Sequence, residues 1–156
     1  MAEVRWLDEG EARAWVTFQQ MLARLAGALA HDLSAHSELS YADYAVLVAL
    51  TAEPCAAMRL FALAHRLGWE KSRASHQVGR MVARGLVEKA PCPSDRRGAV
   101  IVVTEAGRSQ IEAAAPSHVA AVRRLFVDRL SPGQLEQLAD LSDTVLAAIE
   151  AEEGAG

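Results

Sequence analysis

The polar residues between Lys71 and Arg80 combine positive charge with amide, hydroxyl and imidazole groups at helical spacing. Arginine can form two parallel hydrogen bonds with guanine, and glutamine can do the same with adenine. Lysine and serine more commonly bind phosphate oxygens. The pattern therefore predicts a helix face that contacts DNA and lies opposite an apolar stripe of Ala74, Val78 and Met81. Its predicted contacts are Lys71, Ser72, Arg73, Ser75, His76, Gln77 and Arg80. The alternative is a polar helix face that is only solvated.

A second basic cluster follows in a stretch that also contains prolines and a glycine. Short β-favouring runs at 86–90 and 99–103 flank it, which predicts a β-hairpin with Asp95, Arg96 and Arg97 at its tip. Arg97 could enter a narrow minor groove, where the negative potential is strongest. Asp95 could orient an arginine through a charge-assisted hydrogen bond, or it could only cap the turn.

Charge is distributed unevenly along the 156 residues, whose net charge is −4. The segment 59–97 contains nine basic and three acidic residues, a net charge of +6, whereas the remainder carries −10. Because contacts with phosphate supply most nonspecific affinity for DNA, this local concentration matters more than the balance of the whole chain. The charge pattern therefore favours double-stranded DNA as a partner, and it argues against a ligand-binding dimer without DNA binding.

Other chemistries have weaker support in the sequence. It contains no P-loop, HExxH, nucleophile elbow or dinucleotide-binding motif, so an enzyme is the weaker alternative and neither a catalytic residue nor a cofactor is predicted. His31, His36 and His118 invite a metal site, but a step of five residues places two side chains about 140° apart around a helix, so no metal is expected. Cys92 in the hairpin loop could act as an oxidation switch, and an inert thiol is the alternative.

The sequence also bears on location. Its apolar stretches are shorter than the roughly 18 residues that a membrane span needs, and the N-terminus lacks the basic region of a secretory signal. The two isolated cysteines indicate neither a disulfide framework nor a zinc site. These features predict a cytoplasmic protein with no membrane partner.

The elements that must position these groups follow from the spacing of apolar residues. A long amphipathic helix is predicted over 11–35, where apolar residues recur at three- and four-residue steps. A second helix is predicted from Ser40, a good capping residue, to about Thr51. Two further helices, 59–67 and 70–84, each end at a glycine and together predict a helix-turn-helix.

The C-terminal third is predicted to be helical. One long helix should start at Thr104 and run to about Arg129, although Pro116 is expected to kink or interrupt it. Ser131 has the spacing of a capping box, which predicts a last helix that ends near Glu152. The fold class is therefore predicted to be mainly α with a small β-hairpin wing, a winged helix-turn-helix between N- and C-terminal helices.

The helices at the two chain ends carry apolar stripes outside the helix-turn-helix. Packing against the same helices of a second copy would bury these stripes and give the two-fold symmetry that pseudo-palindromic DNA sites require. We therefore predict a homodimer, and a monomeric helical bundle is the alternative. Trp15, Phe18 and Met21 on the first helix could line a ligand cavity, or they could belong to the core.

Three stretches resemble the MarR family of regulators, namely LGWEKSRAS at 67–75, RGLVEK at 84–89, and DRRG at 95–98 leading to VTEAG at 103–107. In that family an Asp-x-Arg motif lies nine residues before a threonine that opens a helix, and Asp95, Arg97 and Thr104 have this spacing. The resemblance covers nearly the whole chain, because the predicted helices also match in order and length.

The resemblance implies a winged helix-turn-helix transcriptional regulator that forms a single domain over 1–156. The dimerisation helices would be 11–36 and 105–152, and the DNA-binding lobe would be 38–104. The second helix of the helix-turn-helix would enter the major groove, and Arg97 would reach the minor groove.

The resemblance also implies control by a ligand. Many members of the family bind small aromatic or phenolic compounds and release DNA as a result, so we expect a repressor that such an effector releases. A redox-responsive regulator that acts through Cys92 is the alternative, since some relatives sense peroxide through cysteine. Glu70 departs from the pattern, because the family usually has Ser or Thr at the start of the recognition helix.

Overall fold

The computed structural model describes residues 4–92 and 95–154, and it describes the side chains of these residues outside 92–99. The described residues form six α-helices, a 3-10 helix and three strands, in the order α1 (Glu9–His36), α2 (Tyr41–Thr51), β1 (Ala57–Arg59), α3 (Leu60–Arg66), α4 (Lys71–Ala83), β2 (Val87–Cys92), β3 (Asp95–Val103), α5 (Glu105–Leu125), the 3-10 helix (Val127–Arg129) and α6 (Pro132–Gly154). The predicted fold class is confirmed. Within the described ranges, no helix is long and apolar enough to cross a membrane.

The chain divides into two compact units, Met1–His118 and Val119–Gly156. In the first unit the strands form one antiparallel sheet in the order β1-β3-β2, and the predicted hairpin is its β2–β3 pair. The sequence prediction lacked β1, because three residues are too few to show an alternating pattern.

The core of the first unit lies where α2, α3 and α4 meet the sheet. Apolar side chains from all four elements are withdrawn from water there, which supplies the main driving force for folding this lobe. Its most deeply buried members include Val46, Leu47, Leu50, Leu63, Val78, Met81 and Ile101. One face of α4 therefore packs against the core, and the opposite face is exposed.

Side-chain caps explain where α1 and α2 begin. The Asp8 carboxylate accepts a hydrogen bond of 2.8 Å from the Glu11 amide, and the Glu11 carboxylate accepts one of 2.9 Å from the Asp8 amide. This capping box starts α1 at Glu9, two residues before the predicted start. The predicted cap at Ser40 is confirmed, because its hydroxyl accepts from the Asp43 amide at 3.1 Å.

The helix α5 continues through Pro116, so the interruption predicted as one alternative there is wrong, and the kink stays a prediction. Proline removes one N–H from the hydrogen-bond ladder, and the neighbouring turns keep theirs. The predicted cap of α6 is confirmed, because the Ser131 amide donates to the Gln134 side chain at 2.9 Å and the Gln134 amide donates to the Ser131 hydroxyl at 3.3 Å.

The end of α4 and the start of α5 interlock through the backbone. Gly85, which ends α4, has a φ of +71° that favours glycine. The Thr104 hydroxyl donates to the Gly85 carbonyl at 2.6 Å and accepts from the Gly107 amide at 3.0 Å. A Cβ on Gly107 would lie 2.0 Å from the Leu86 carbonyl oxygen. Two of the stretches that resemble the MarR family therefore join these elements.

Candidate nucleic-acid interface

One face of α4 is exposed and positively charged. The structure exposes six of the seven α4 residues that the sequence predicts as DNA contacts, namely Lys71, Ser72, Arg73, Ser75, His76 and Arg80. Ala74, Val78 and Met81 are buried on the opposite side, as predicted. The sequence of α4 contains no acidic residue, so its charged groups all have the same sign. Glu70 precedes the helix as its N-cap and makes no capping hydrogen bond with its side chain.

Gln77 is the exception, and its predicted position on the exposed face is wrong. Only 3% of its surface is exposed. Gln77 lies three residues after Ala74 and four before Met81, so helical periodicity places it on the buried stripe. Its side chain therefore faces the protein interior.

The Gln77 amide bridges a buried carboxylate and an exposed guanidinium. Its nitrogen donates to Oδ1 of Asp43 at 2.6 Å, and its oxygen accepts a hydrogen bond from Arg80. Asp43 belongs to α2 and is only 2% exposed. The Arg80 side chain on the charged face of α4 is thereby tied to α2.

The other oxygen of Asp43 is also satisfied. Its Oδ2 accepts from the Ser40 amide at 2.9 Å, the Ser40 hydroxyl at 2.8 Å and the Arg84 guanidinium at 2.7 Å. Burial raises the pKa of the Asp43 carboxyl, but the hydrogen bonds from Ser40 and Arg84 outweigh burial and hold this pKa below its ordinary value. Asp43 is therefore an ionised, fully partnered anchor between α2 and α4.

Arg73 has a different support. Its guanidinium carbon lies 4.4 Å from the centroid of the Trp69 ring, which belongs to the turn before α4. A guanidinium over an indole face is attracted by the ring electrons. Because stacking uses the flat face of the guanidinium, the N–H donors at its edge stay available for hydrogen bonds.

The two arginines border one open cleft of about 450 Å³. The residues that line it are Ala42, Trp69, Arg73, His76, Gln77 and Arg80. Its rim carries hydrogen-bond donors and positive charge. Small ligands favour enclosed, largely apolar sites. This open, positively charged surface instead suits a polar, anionic partner.

The hairpin contacts of the sequence prediction are only partly described. The strands β2 and β3 pair as an antiparallel hairpin, in which Cys92 ends β2 and Asp95, Arg96 and Arg97 begin β3, so their predicted position in a longer loop is wrong. The side chains of Cys92, Asp95, Arg96 and Arg97 lie outside the described part of the chain. Their predicted roles in DNA contact and oxidation stay predictions.

The aromatic group on α1 is exposed on the single chain. Trp15, Phe18 and Met21 are 53%, 43% and 37% exposed, and the rings of Trp15 and Phe18 lie 6.3 Å apart between centroids. The alternative that places them in the core of the chain is therefore wrong. Helical spacing showed that these residues share a face, but it could not show whether that face is covered.

His118 on α5 packs against α2. Its ring centroid lies 4.4 Å from that of Tyr44, and its Nδ1 is buried without a hydrogen-bond partner. Burial lowers the pKa of His118, and the nearby charge of Asp32 only partly opposes this. Among the residues that the structure describes, no three His, Cys, Asp or Glu are placed to hold a metal ion.

Sequence reasoning missed Asp43, Trp69 and Arg84 as parts of this interface. A signal for Asp43 was present, because Gln77 on a buried stripe requires a polar partner. No comparable signal marks Trp69 or Arg84, whose roles depend on the turn that precedes α4 and on the distance from α4 to α2.

Comparison with protein families and curated sequences gave one clear result. A sequence model described as the MarR family matches residues 37–98. This span includes α2, the helix-turn-helix of α3 and α4, and most of the hairpin. Comparison with curated protein sequences gave no match.

Solved structures extend the similarity to nearly the whole chain. AbsC, a MarR family transcriptional regulator from Streptomyces coelicolor, is 37% identical with a TM-score of 0.87, and the match covers 95% of this chain and 99% of AbsC. Sco3205, a MarR family regulator from the same organism solved in complex with DNA, is 32% identical with a TM-score of 0.87, covering 95% and 92%. CouR from Rhodococcus jostii RHA1, solved with p-coumaroyl-CoA, is 26% identical with a TM-score of 0.74, covering 83% and 88%. This chain belongs to the MarR family of transcriptional regulators.

Proposed function

We propose that this chain is a repressor that binds double-stranded operator DNA as a homodimer and releases it when a small molecule binds. The observation that carries the proposal is the exposed, uniformly positive face of α4, on which Arg73 and Arg80 are held by neighbouring side chains. A major groove about 12 Å wide admits an α-helix. The family relative Sco3205, solved with DNA, supports the proposal.

The contacts of α4 divide by chemistry. Arg73, Arg80 and His76 present N–H donors to base edges, because arginine pairs well with guanine in the major groove. Lys71 and Ser75 bind phosphate, which fixes the position of the helix without reading sequence. Ser72 belongs with the base contacts. Gln77 is removed from this set, because its amide is buried and occupied by Asp43 and Arg80.

A homodimer would cover large apolar side chains at the chain ends. Val16 and Leu22 on α1 are 52% and 45% exposed, and Leu141 and Ile149 on α6 are 65% and 47% exposed. Monomeric proteins rarely leave such continuous apolar faces in water. Two α4 helices related by a two-fold axis would meet half-sites about one helical turn apart.

The hairpin supplies the second contact in the proposal. We assign Arg97 to the minor groove, with Asp95 orienting an arginine and Arg96 near phosphate, because these residues begin β3 beside the hairpin turn and two of the three are basic. Arg97→Ala should weaken binding most where the flanking sequence is rich in A·T pairs. Equal losses for G·C-rich flanks would contradict this assignment.

The effector of the proposal is a small aromatic or phenolic compound. Its site would include Trp15, Phe18 and Met21, whose exposed rings and thioether offer apolar contacts. The relative CouR, solved with p-coumaroyl-CoA, supports an aromatic effector. Release of bound DNA by members of a phenolic panel, and loss of that release in Phe18→Ala, would test this part.

The central experiment selects duplexes from genomic fragments with the full-length protein. The expected product is a pseudo-palindrome. Arg73→Ala should then cost about 1 to 3 kcal/mol at the selected site and relax the preference at one symmetric pair of positions. Lys71→Ala should weaken all sequences similarly and lower the salt dependence.

Arg13→Ala is the matched control, because Arg13 is exposed and belongs to α1 and not to α4. It removes the same charge and should leave base preference unchanged. Failure to enrich any duplex would refute the proposed function. Equal, sequence-independent losses in Arg73→Ala and Lys71→Ala would refute the division into base and phosphate contacts.

A further inference from the structure

We propose that Asp43 and Gln77 are positioning residues that hold the Arg80 guanidinium in the orientation that reads a base pair. The inference rests on the proposed DNA-binding function and deepens it. Neither side chain reaches solvent to any extent, since Asp43 is 2% and Gln77 3% exposed. Neither can therefore contact DNA itself, and Gln77 acts through Arg80 while Asp43 acts through Gln77.

The hydrogen-bond chain has only one possible direction. A carboxylate accepts hydrogen bonds and cannot donate them, whereas a guanidinium donates and cannot accept. The Gln77 amide between them must therefore turn its nitrogen toward Asp43 and its oxygen toward Arg80, which is the arrangement observed. In a flipped amide, the nitrogen would face the Arg80 guanidinium, which is also a donor, and the oxygen would face the Asp43 carboxylate, which is also an acceptor. This requirement gives the Gln77 side chain one orientation.

The far end of the chain is firmly anchored. Asp43 lies in the first turn of α2, and its Oδ2 is held by Ser40 and Arg84 at 2.7 to 2.9 Å. The guanidinium of Arg84 is itself fixed, because it also donates to the Glu38 carbonyl at 2.9 Å. An exposed arginine usually samples many rotamers and loses this freedom on binding. Arg80 is already restricted in the free protein.

The anchor leaves Arg80 able to bind DNA. A guanidinium has five N–H donors, and Gln77 occupies one of them. A guanidinium held from one side presents its remaining donors in a fixed direction. This geometry favours recognition of a base edge, which demands fixed geometry, over contact with phosphate, which tolerates many geometries.

The test is a double-mutant cycle on the duplex that the wild-type protein selects and on its single base-pair variants. Arg80→Ala should lose discrimination at one symmetric pair of positions, by roughly 5- to 150-fold. Gln77→Met keeps the side-chain length, removes both hydrogen bonds and should reduce discrimination at the same positions by roughly 2- to 12-fold. In the Arg80→Ala background, Gln77→Met should add no further loss.

Thr104→Ala is the matched control. It removes the side-chain hydrogen bonds to Gly85 and Gly107 without changing charge and without touching Asp43, Gln77 or Arg80. It should lower thermal stability and leave base discrimination unchanged. If Gln77→Met does not fold, Gln77→Leu replaces it in the cycle.

The outcomes separate the two levels of the proposal. Equal losses from Gln77→Met with and without Arg80 would overturn the inference, and so would unchanged discrimination in Gln77→Met. A loss of discrimination in Thr104→Ala as large as in Gln77→Met would also overturn it, since loosening of the fold would then be the cause. Unchanged base preference in Arg80→Ala would overturn it while DNA binding stands. Only a wild-type protein that selects no duplex would remove the proposed function itself.

Discussion

Replacing Gly107 by alanine should destabilise the protein strongly. Gly107 lies in the first turn of α5, against the backbone of the segment that follows α4. An added Cβ would lie 2.0 Å from the Leu86 carbonyl oxygen and 3.2 Å from a methyl carbon of Val103. A carbon normally approaches an oxygen no closer than about 3.3 Å. The methyl group can therefore be accommodated only if the backbone moves.

The loss of unfolding free energy can be worked out from the hydrogen bonds that this backbone movement strains. Displacement of α5 from Leu86 strains the hydrogen bond from the Thr104 amide to the Leu86 carbonyl, 3.2 Å long, and the bond of 2.6 Å from the Thr104 hydroxyl to Gly85. Each is worth about 1 kcal/mol. Overpacking adds about 1 to 3 kcal/mol. The expected loss is about 3 to 5 kcal/mol of unfolding free energy, out of a typical total of about 5 to 15.

Thermal unfolding measures this loss directly. At about 2 to 4 °C for each kcal/mol in a chain of this size, Tm should fall by roughly 6 to 20 °C. Gly79→Ala is the matched control, because Gly79 lies inside α4 with open space around a new Cβ. It should raise stability by about 0.5 to 1 kcal/mol. Protein concentration must be equal in all samples, since association would raise Tm. A Tm of Gly107→Ala within 1 °C of the wild type, a margin of about half a kcal/mol, would refute the proposed close contact.

Three further predictions concern charge. Asp43→Asn should destabilise the protein most at neutral pH. The carboxylate stabilises the fold above its ordinary pKa of 3.8, and this contribution is lost as pH falls through the lower pKa of the folded state. Urea unfolding at pH 7 and at pH 3 would show this change, and a difference in stability that does not change with pH would contradict it. Burial lowers the pKa of His118, so the fold favours neutral imidazole and wild-type stability should decline as pH falls below 6.5, whereas His118→Phe should lack this decline in the same assay. Glu70→Gln should raise affinity for all duplexes about two- to fivefold, because it removes an acid beside DNA phosphate. In a gel-shift titration this gain in affinity should shrink with added salt, and a gain that is independent of salt would count against the prediction.

The sequence predicted the elements best where a local signal marks the boundary. Ser40 and Ser131 each cap a helix through neighbours within three residues, so the start of both helices could be seen in the sequence. The strand β1 has no such signal, since its pairing with β3 is not local. The interruption expected at Pro116 failed because local chemistry alone does not decide whether a helix continues past one missing hydrogen bond.

The candidate site was predicted less completely than the fold. Charge and residue type identified Arg73 and Arg80 as exposed donors. Helical periodicity indicated that Gln77 is buried, but its bond to Asp43 joins positions 34 residues apart, and no local pattern identifies that partner. Residue type suggested adenine recognition for Gln77, whereas packing gives it a different partner.

Redesign of α4 for a new DNA sequence would meet two kinds of position. Ser72, Arg73 and His76 are exposed, so each could be exchanged with little cost to the scaffold. Gln77 and Arg84 form a frame together with Asp43, because a grafted helix that lacks them would leave the buried Asp43 carboxylate with its hydrogen bonds from Ser40 alone. A helix transplanted from a relative would therefore have to bring its own residues for these positions, or all three members of the frame would have to be replaced together by apolar side chains.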